Sequence, residues 1–395
     1  MSRTRLMILA MGLLVAAQVG QAQVVILPNP RLTWNAGDSE CPVIAVEPAD
    51  NIHIVWYDDT PGNYEIYYKQ STDKGFTWSN SRRLTWTLTD SWAPCIAVDS
   101  SGNLYVAWHE YMSGDAEVYF KKSTDGGATW TANKRITWNT GWSVSPHLAI
   151  DSSGYFHLVW SDFTPGNYEL FYSKSTDGGA TWTAGKRLTW NAGWSLHPRI
   201  AVSGLNNLYV VWSDSTPGVN EIYYTRSMDG GSTWTAGKRL TWNAGWSYAP
   251  DIAVDPSGNP HVVWYDDTPG NQELYYIGSA DGGASWSASK RLTWNASSSW
   301  NPAIAIETSG RIDVVWEDNA LGNYEIYFKC SADGGATWST NLRFSRTSGE
   351  SAYPDVGVDS FGRIYVVWHD GTPGNYEIYH IIWEFMVPFG SFLGR

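Results

Sequence analysis

The stretch Arg187-Leu-Thr-Trp190 recurs along the chain at an interval of 52 residues. Arg, a hydrophobic residue, Thr and Trp appear in this order six times, and Arg343-Phe-Ser-Arg346 continues the series in a weaker form. The seven copies begin at Arg31, Arg83, Arg135, Arg187, Arg239, Arg291 and Arg343. A period that never slips indicates a repeat architecture, and such a repeat must be recognised before local structure is assigned.

Each repeat contains four short segments, A to D, with the chemistry of β-strands. In the third repeat they are Pro146–Asp151, Tyr155–Asp162, Tyr168–Ser175 and Thr181–Trp190. Segments B and C are rich in Val, Tyr, Trp and Phe, which favour a half-buried pleated surface. Four strands in each repeat, with no 3.6-residue apolar period, predict an all-β propeller of four-stranded antiparallel blades. A rod-like solenoid is the alternative, although its units usually contain fewer strands.

The two ends of the chain set the number of blades. Segments A, B and C each occur seven times, and the last segment C contains Tyr376–Tyr379. No segment D follows it, whereas an unpaired segment D, Val24–Trp34, precedes the first segment A. Pairing these two ends predicts a seven-bladed ring that is closed by an N-terminal strand on the C-terminal blade. Closure also covers two strand edges that would otherwise promote aggregation.

The N-terminus has the pattern of a secretory signal. Positive charges in Met1–Arg5 precede an apolar run, Leu6–Ala17, and small residues end at Ala22. This pattern predicts a signal peptide over residues 1–22 and a single propeller domain over residues 23–395. The alternative, a buried N-terminal helix, would have no other helix to pack against. The protein is therefore expected to be secreted, periplasmic or on the cell surface.

Charge and cysteine content exclude several classes of partner. The formal net charge is −13 at pH 7, and an acidic surface repels phosphate backbones and anionic lipids. We expect no nucleic-acid partner, no membrane insertion and a monomeric state. Cys41, Cys95 and Cys330 lie at three different offsets in the repeat, so they form no disulfide framework. They are more typical of small buried hydrophobic residues.

The turn between segments C and D carries a second repeated motif. It reads Ser175-Thr-Asp-Gly-Gly-Ala-Thr-Trp182 in the third repeat and recurs in six repeats. The motif resembles the Asp-box, Ser-x-Asp-x-Gly-x-Thr-Trp, of bacterial neuraminidase repeats and the wider sialidase-like propellers. The resemblance covers residues 31–383. In that family the box is structural and lies on the face opposite the active site.

The resemblance therefore implies a structural role for the Asp of each box. Physically, Asp can accept hydrogen bonds from the turn, Gly supplies a positive φ and Trp packs against the blade. Calcium binding is the alternative, but each turn offers one carboxylate where calcium takes six or more oxygens. We predict no metal and no cofactor. The six residues are Asp73, Asp125, Asp177, Asp229, Asp281 and Asp333.

A sialidase resembling this family would need three converging arginines, a Tyr nucleophile partnered by a Glu, and an Asp acid/base. Most arginines here belong to the repeated series, and no Arg-Ile-Pro-type segment stands near the start. We therefore assign no catalytic residue and predict a non-catalytic module that binds a glycan or an extracellular protein. The alternatives are an exo-α-sialidase or other glycoside hydrolase, and a structural surface scaffold. The off-pattern arginines lie at unlike offsets: Arg199, Arg226, Arg311, Arg346 and Arg363.

Repeated carboxylates open segment C in all seven repeats. Seven copies favour a structural role over a glycosidase acid/base pair. We expect each Glu to face the Arg of segment D in the same blade. They are Glu65, Glu117, Glu169, Glu221, Glu273, Glu325 and Glu377.

The loops between B and C and between D and A share one face of the ring, and this face carries the candidate ligand site. Exposed aromatic rings flanked by Asp, Asn and Gly suit sugars. Trp142, Trp194 and Trp246 lie four residues before the Pro of segment A, and Trp92 and Trp300 lie two before it. The alternative is that these side chains pack between blades as core.

The residue after the Pro of segment A varies from blade to blade. His147, Arg199, Asp251 and Asp355 occupy this position, which the fold places near the mouth of the central channel. They would form one asymmetric polar pocket there. Random drift at a tolerant, solvated position explains the same residues equally well.

Overall fold

The structure is a computed structural model that describes residues 31–112, 114–204 and 206–384. Seven antiparallel sheets form a β-propeller, which confirms the predicted fold class and blade number. The described residues contain no helix, and hence none that could cross a membrane. The predicted signal peptide, the closing segment before Arg31 and the chain after residue 384 lie outside the described residues.

The blades are numbered 1 to 7 along the chain, and each begins with its innermost strand. The strands are, in blade 1, β1 (Ser39–Val46), β2 (Ile52–Asp58), β3 (Glu65–Ser71) and β4 (Arg82–Arg83); in blade 2, β5 (Ser91–Val98), β6 (Leu104–Tyr111), β7 (Ala116–Ser123) and β8 (Lys134–Arg135); in blade 3, β9 (Ser143–Ile150), β10 (Phe156–Asp162), β11 (Glu169–Ser175) and β12 (Lys186–Arg187); in blade 4, β13 (Ser195–Ser203), β14 (Asn207–Asp214), β15 (Glu221–Ser227) and β16 (Lys238–Arg239); in blade 5, β17 (Ser247–Val254), β18 (Pro260–Asp266), β19 (Glu273–Gly278) and β20 (Lys290–Arg291); in blade 6, β21 (Ser299–Ile306), β22 (Ile312–Asp318), β23 (Glu325–Ser331) and β24 (Leu342–Arg343); and in blade 7, β25 (Ser351–Val358), β26 (Ile364–Asp370) and β27 (Glu377–Trp383).

The ring is closed by the N-terminal segment, as the sequence predicts. β1 contacts the innermost strands of both neighbouring blades, β5 and β25. Arg31 forms an antiparallel bridge with Tyr379 in the three-stranded seventh sheet. The Leu32 N–H donates to the Ile378 carbonyl oxygen at 2.6 Å, and the Ile378 N–H donates to Thr33 Oγ1 at 2.8 Å. The outermost strands are shorter than the sequence suggests, since each pairs over only two residues.

The hydrophobic core lies between neighbouring blades. The Trp of each second strand is at most 2% exposed, and it packs with aliphatic and Tyr residues of the adjacent sheet. Between blades 3 and 4, for example, Val159 and Tyr172 pack with Ile200 and Trp212. Because each blade buries its apolar face only against its neighbours, the axis of the ring is left free for a cavity.

The predicted pairing of Glu with Arg is confirmed in every blade. The Arg Nη2 donates to the Glu Oε1 at 2.7 Å for Arg83–Glu65 and 2.9 Å for Arg187–Glu169. Each Glu is fully buried, and Oε1 also accepts a backbone N–H from the chain that leaves the outer strand, such as that of Asn191 at 2.7 Å. The pair therefore fixes segment D onto segment C. The other five pairs are Arg31–Glu377, Arg135–Glu117, Arg239–Glu221, Arg291–Glu273 and Arg343–Glu325.

The Asp of each Asp-box-like turn accepts hydrogen bonds from its own turn. In blade 1, Asp73 Oδ1 accepts from the Ser71 hydroxyl and the Thr77 N–H, both at 2.8 Å, and Oδ2 accepts from the Thr77 hydroxyl at 2.6 Å. Hydrogen bonds from the hydroxyl and amide of Thr129 lower the pKa of Asp125 to about 2. These carboxylates are engaged in holding the turn.

Candidate functional site

A funnel-shaped cavity of about 790 Å³ lies at the ring axis. Its wall comes from the first residues of the innermost strands and the last residues of the second strands. The funnel therefore opens on the face that carries the B–C and D–A loops. All seven blades contribute equivalent positions, and different side chains at those positions make the wall asymmetric.

A strained bulge brings each innermost strand to the funnel. The residue before the Pro has a positive φ of 46–54° in every blade. A non-glycine residue seldom adopts this conformation. The register of the strand shifts there, for example between Tyr248 and Asp251 in β17, so residues on both sides of the Pro line the funnel. The seven strained residues are Cys41, Ala93, Ser145, His197, Ala249, Asn301 and Tyr353.

Side chains of the preceding blade hold three of these strained residues. Glu317 Oε2 accepts the Tyr353 N–H at 2.6 Å, and His369 Nδ1 accepts the Cys41 N–H at 3.2 Å. His109 makes the equivalent contact with the residue before Pro146 at 3.5 Å. Burial lowers the pKa of His369 to about 4, so its imidazole stays neutral and keeps an acceptor nitrogen at neutral pH. Polar residues of the funnel wall thus connect neighbouring blades.

The four residues predicted after the Pro all line the funnel, and three of them also bond to the next blade. Asp251 Oδ2 accepts the Ile304 N–H and Asp355 Oδ2 accepts the Ile44 N–H, both at 2.9 Å. His147 makes the same kind of contact, because its Nδ1 accepts the Ile200 N–H at 3.3 Å.

Burial raises the pKa of Asp355 to about 7, and the nearby carboxylate of Asp251 acts in the same direction. The fourth residue, Arg199, has its Nε 3.8 Å from Asp251 Oδ1. All four residues after the Pro therefore have polar partners within the protein.

Two aromatic clusters stand on the wall of the funnel. The first contains Tyr57 and Trp92, whose ring centroids are 4.8 Å apart, at the junction of blades 1 and 2. The second contains Tyr265 and Trp300, also 4.8 Å apart, at the junction of blades 5 and 6, with Tyr248 5.9 Å from Tyr265. Blades 6, 7 and 1 separate the two junctions on one side of the ring, and blades 2 to 5 separate them on the other. The clusters therefore flank the funnel from different sides.

The sequence points to the Trp of each cluster but not to its Tyr. Tyr57 and Tyr265 precede the acidic residue that ends segment B, at a position where other blades carry His, Ser or Glu. That variation was a usable signal, because the fold places this position at the funnel, where the side chains differ from blade to blade.

The five predicted Trp residues fall into two groups. Trp92 and Trp300 line the funnel, and they also pack against the core between blades. Trp142, Trp194 and Trp246 lie outside the funnel on the D–A loops and are 42%, 52% and 57% exposed. The last three are therefore surface residues and do not pack in the core between blades.

The funnel is rich in carboxylates and poor in cations. Among the described residues, Arg199 is the one Arg or Lys that lines it. Of the five carboxylates, the two nearest the rim accept hydrogen bonds from Tyr hydroxyls: Glu40 from Tyr64 at 3.1 Å, and Glu350 from Tyr376 at 3.3 Å. The described wall therefore contains no cluster of three arginines for an anionic substrate. Its aromatic faces, hydroxyls and acceptor oxygens suit an uncharged, polyhydroxylated ligand.

No family model matches this chain, and no curated protein is similar to it in sequence. Its fold is similar to several solved structures. A polysaccharide lyase of family PL25, an ulvan lyase, has a TM-score of 0.63 at 12% identity, covering 89% of this chain and 95% of the other. An α-L-arabinanase of Penicillium chrysogenum has a TM-score of 0.56 at 15% identity, with 91% and 98% covered. The NanB sialidase of Streptococcus pneumoniae has a TM-score of 0.52 at 12% identity, with 91% and 71% covered. At these identities the similarity concerns the fold alone.

Proposed function

We propose that this protein is a secreted, sialidase-like Asp-box propeller that binds a neutral glycan in its central funnel without cleaving it. The observation that carries the proposal is the pair of aromatic clusters, Tyr57 with Trp92 and Tyr265 with Trp300, on the funnel wall. The fold neighbours that act on polysaccharides or oligosaccharides are consistent with a role in carbohydrate recognition.

The chemistry of the wall matches that of a sugar ring. A pyranose has apolar C–H faces, which stack on Tyr and Trp, and hydroxyls at its edge, which need donors and acceptors. The Glu40 and Tyr64 pair stands beside the first aromatic cluster, and because the Tyr64 hydroxyl donates to Glu40, the pair offers acceptor oxygens to the hydroxyls of a sugar. A glycan lying against one cluster would meet such polar groups along its edge.

The state of the deep carboxylates supports binding without hydrolysis. A glycosidase needs one carboxyl that protonates the leaving group and a second that acts as base or nucleophile. Here Asp251, Asp355 and Glu317 each accept a backbone N–H of the next blade. These bonds join the innermost strands of neighbouring blades. The three carboxylates therefore have a structural role in the ring.

Hydrolysis is the second candidate, because one observation favours it. Burial raises the pKa of Glu317 to about 7, and a carboxyl that is protonated near neutral pH can act as a general acid. Glu317→Gln separates the two functions, since the amide oxygen can still accept the Tyr353 N–H. Loss of sugar release with retained binding would identify an enzyme.

The test is calorimetric titration with a panel of neutral oligosaccharides, together with an assay for newly released reducing ends. We expect binding without release for the wild type, and at least tenfold weaker binding for Trp92→Ala or Trp300→Ala. Trp142→Ala, which changes an exposed Trp outside the funnel, is the matched control and should keep the affinity. Turnover of a bound oligosaccharide would refute the binding-only proposal. An equal loss of affinity in the Trp142→Ala control would refute the funnel as the binding site.

A further inference from the structure

A second cavity, of about 300 Å³, lies between blades 2 and 3, away from the funnel. Trp138 and Asn139, which follow the outermost strand of blade 2, form one side. Trp160, Phe171 and Ser173 of blade 3 form the other side, and among the described residues none lines both this cavity and the funnel.

Trp138 belongs to a set of six repeated Trp residues that are exposed. They are 68–75% exposed, whereas the repeated Trp of the second strands are at most 2% exposed. A Trp whose only role is packing would be buried, as the Trp residues of the second strands are. The guanidinium of the Arg three residues earlier lies over each ring, at 4.3 Å from the centroid for Arg135 on Trp138. The six residues are Trp34, Trp86, Trp138, Trp190, Trp242 and Trp294.

In three blades a Lys fills the equivalent cleft. The position of Ser173 is taken by Lys69, Lys121 and Lys329 in blades 1, 2 and 6. Each ammonium donates to the carbonyl oxygen of the Leu two residues before the facing Trp. Each also lies 5.6–5.7 Å from the centroid of that Trp ring. The long side chain therefore spans the cleft from the third strand to the Trp.

In blades 3 and 4 the side chain at this position is short. The Ser173 hydroxyl donates to the Thr183 carbonyl oxygen at 2.7 Å, and the Thr225 hydroxyl donates to the Thr235 carbonyl oxygen at 2.7 Å. Both hydroxyls thus bond within their own blade and do not reach across to the facing Trp as the Lys side chains do. The cavity beside Trp138 lies in this cleft in blade 3.

We propose that the cleft beside Trp138 is a second binding site that takes one neutral sugar residue, and that blade 4 repeats it at Trp190 and Thr225. The exposed Trp offers a flat apolar face for the ring, and Thr164 and Asn139 stand at the edge.

The site favours an uncharged ligand because its carboxylate is already engaged. Asp162 Oδ2 accepts from Asn139, Trp160 and Ser143, and Oδ1 accepts the Thr164 N–H. Among the described residues that line this cleft none is basic, and the Arg135 guanidinium that lies over Trp138 is paired with Glu117. A polyhydroxylated ring with an apolar face meets these conditions better than a carboxylate, a phosphate or an ammonium group.

The experiment is ¹⁹F NMR of the full chain labelled with 5-fluorotryptophan, titrated with methyl glycosides of glucose, galactose, mannose and N-acetylglucosamine. Trp138→Phe and Trp190→Phe assign the two resonances. We expect at least one glycoside to shift both resonances. Ser173→Lys places in blade 3 the side chain that blades 1, 2 and 6 accommodate, and it should abolish the Trp138 shift while keeping the Trp190 shift. Thr225→Lys should do the reverse.

The funnel variants separate this site from the proposed function. Trp92→Ala and Trp300→Ala should leave the Trp138 shift unchanged, so loss of funnel binding alone does not affect the inference. The inference is overturned if no glycoside moves the Trp138 resonance, or if Ser173→Lys, with an unchanged thermal midpoint, leaves the shift as it was.

Discussion

Arg31 and Glu377 form an ion pair between residues that are 346 positions apart in the chain. The same pair occurs within each of the other six blades between residues 18 apart, such as Glu169 and Arg187. In blades 1 to 6 the chain itself connects the two partners closely, whereas in blade 7 the pair joins the two ends of the described chain. The closing blade therefore depends on noncovalent contacts that the other blades do not need.

This difference predicts unequal effects of one substitution. Arg31→Gln and Arg187→Gln each leave a buried Glu without its donor, at a cost of about 1–3 kcal/mol. We expect Arg31→Gln to lower the thermal midpoint more, because it also weakens ring closure. Differential scanning calorimetry of both variants measures this. Equal midpoints would show that closure does not limit the stability of the ring.

The strained residues before the Pro predict an unusual effect of glycine. Ala249 has a φ of 46°, a conformation that costs a non-glycine residue roughly 1 kcal/mol. We expect Ala249→Gly to be neutral or to stabilise the protein by up to about 0.5 kcal/mol. Ala253→Gly, in the regular part of the same strand, should destabilise it by about 0.5–1 kcal/mol. Chemical denaturation measures both, and similar losses would contradict the strain.

The buried carboxyl of Asp355 predicts a loss of stability at high pH. Its pKa is about 7 in the folded state, above the value of about 4 in an unfolded chain. The stabilisation from this raised pKa is complete below about pH 4 and is lost as the pH rises through about 7. Asp355→Asn removes the ionisation but keeps an acceptor for the Ile44 N–H.

Relative to the wild type, Asp355→Asn should gain about 2–3 kcal/mol of unfolding free energy between about pH 5 and about pH 8.5. Urea denaturation at several pH values measures the difference. Asp177→Asn is the control, because the pKa of Asp177 is lowered to about 2 by its hydrogen bonds to Thr181, well below this window. A parallel pH dependence in Asp355→Asn and the wild type would argue against a buried neutral carboxyl.

The exposed Trp residues of the D–A loops predict a difference between multivalent and monovalent binding. Replacement of Trp142, Trp194 and Trp246 by Ala should reduce retention on a glycan matrix, because several weak contacts on one face act together. Affinity for a soluble oligosaccharide in the funnel should be unchanged. Affinity chromatography and calorimetry on the same triple variant measure the two effects. Unchanged retention on the matrix would assign these three side chains no part in binding.

The sequence by itself determined the repeat, the number of blades and the closure of the ring. These follow from local and periodic information: four strand segments in each unit, turn residues at fixed offsets, and two incomplete units that complement each other. The ion pairs were also predictable, because a hairpin of known length places Glu169 near Arg187, whose direct partner in the register is Phe171. In blades 1 to 6, a contact within one blade has the same sequence separation in every copy.

Only the tertiary structure decided which side chains of different blades come together. Tyr57 meets Trp92 because the end of one blade's second strand lies beside the start of the next blade's first strand. Trp92 and Trp142 occupy neighbouring offsets in the repeat, yet one lines the funnel and the other stands on its outer loops. Likewise, the space beside Trp138 is set by the length of Ser173 on the adjacent blade. Such contacts depend on the angle and spacing between blades, which the packing of buried side chains fixes and the repeat period does not encode.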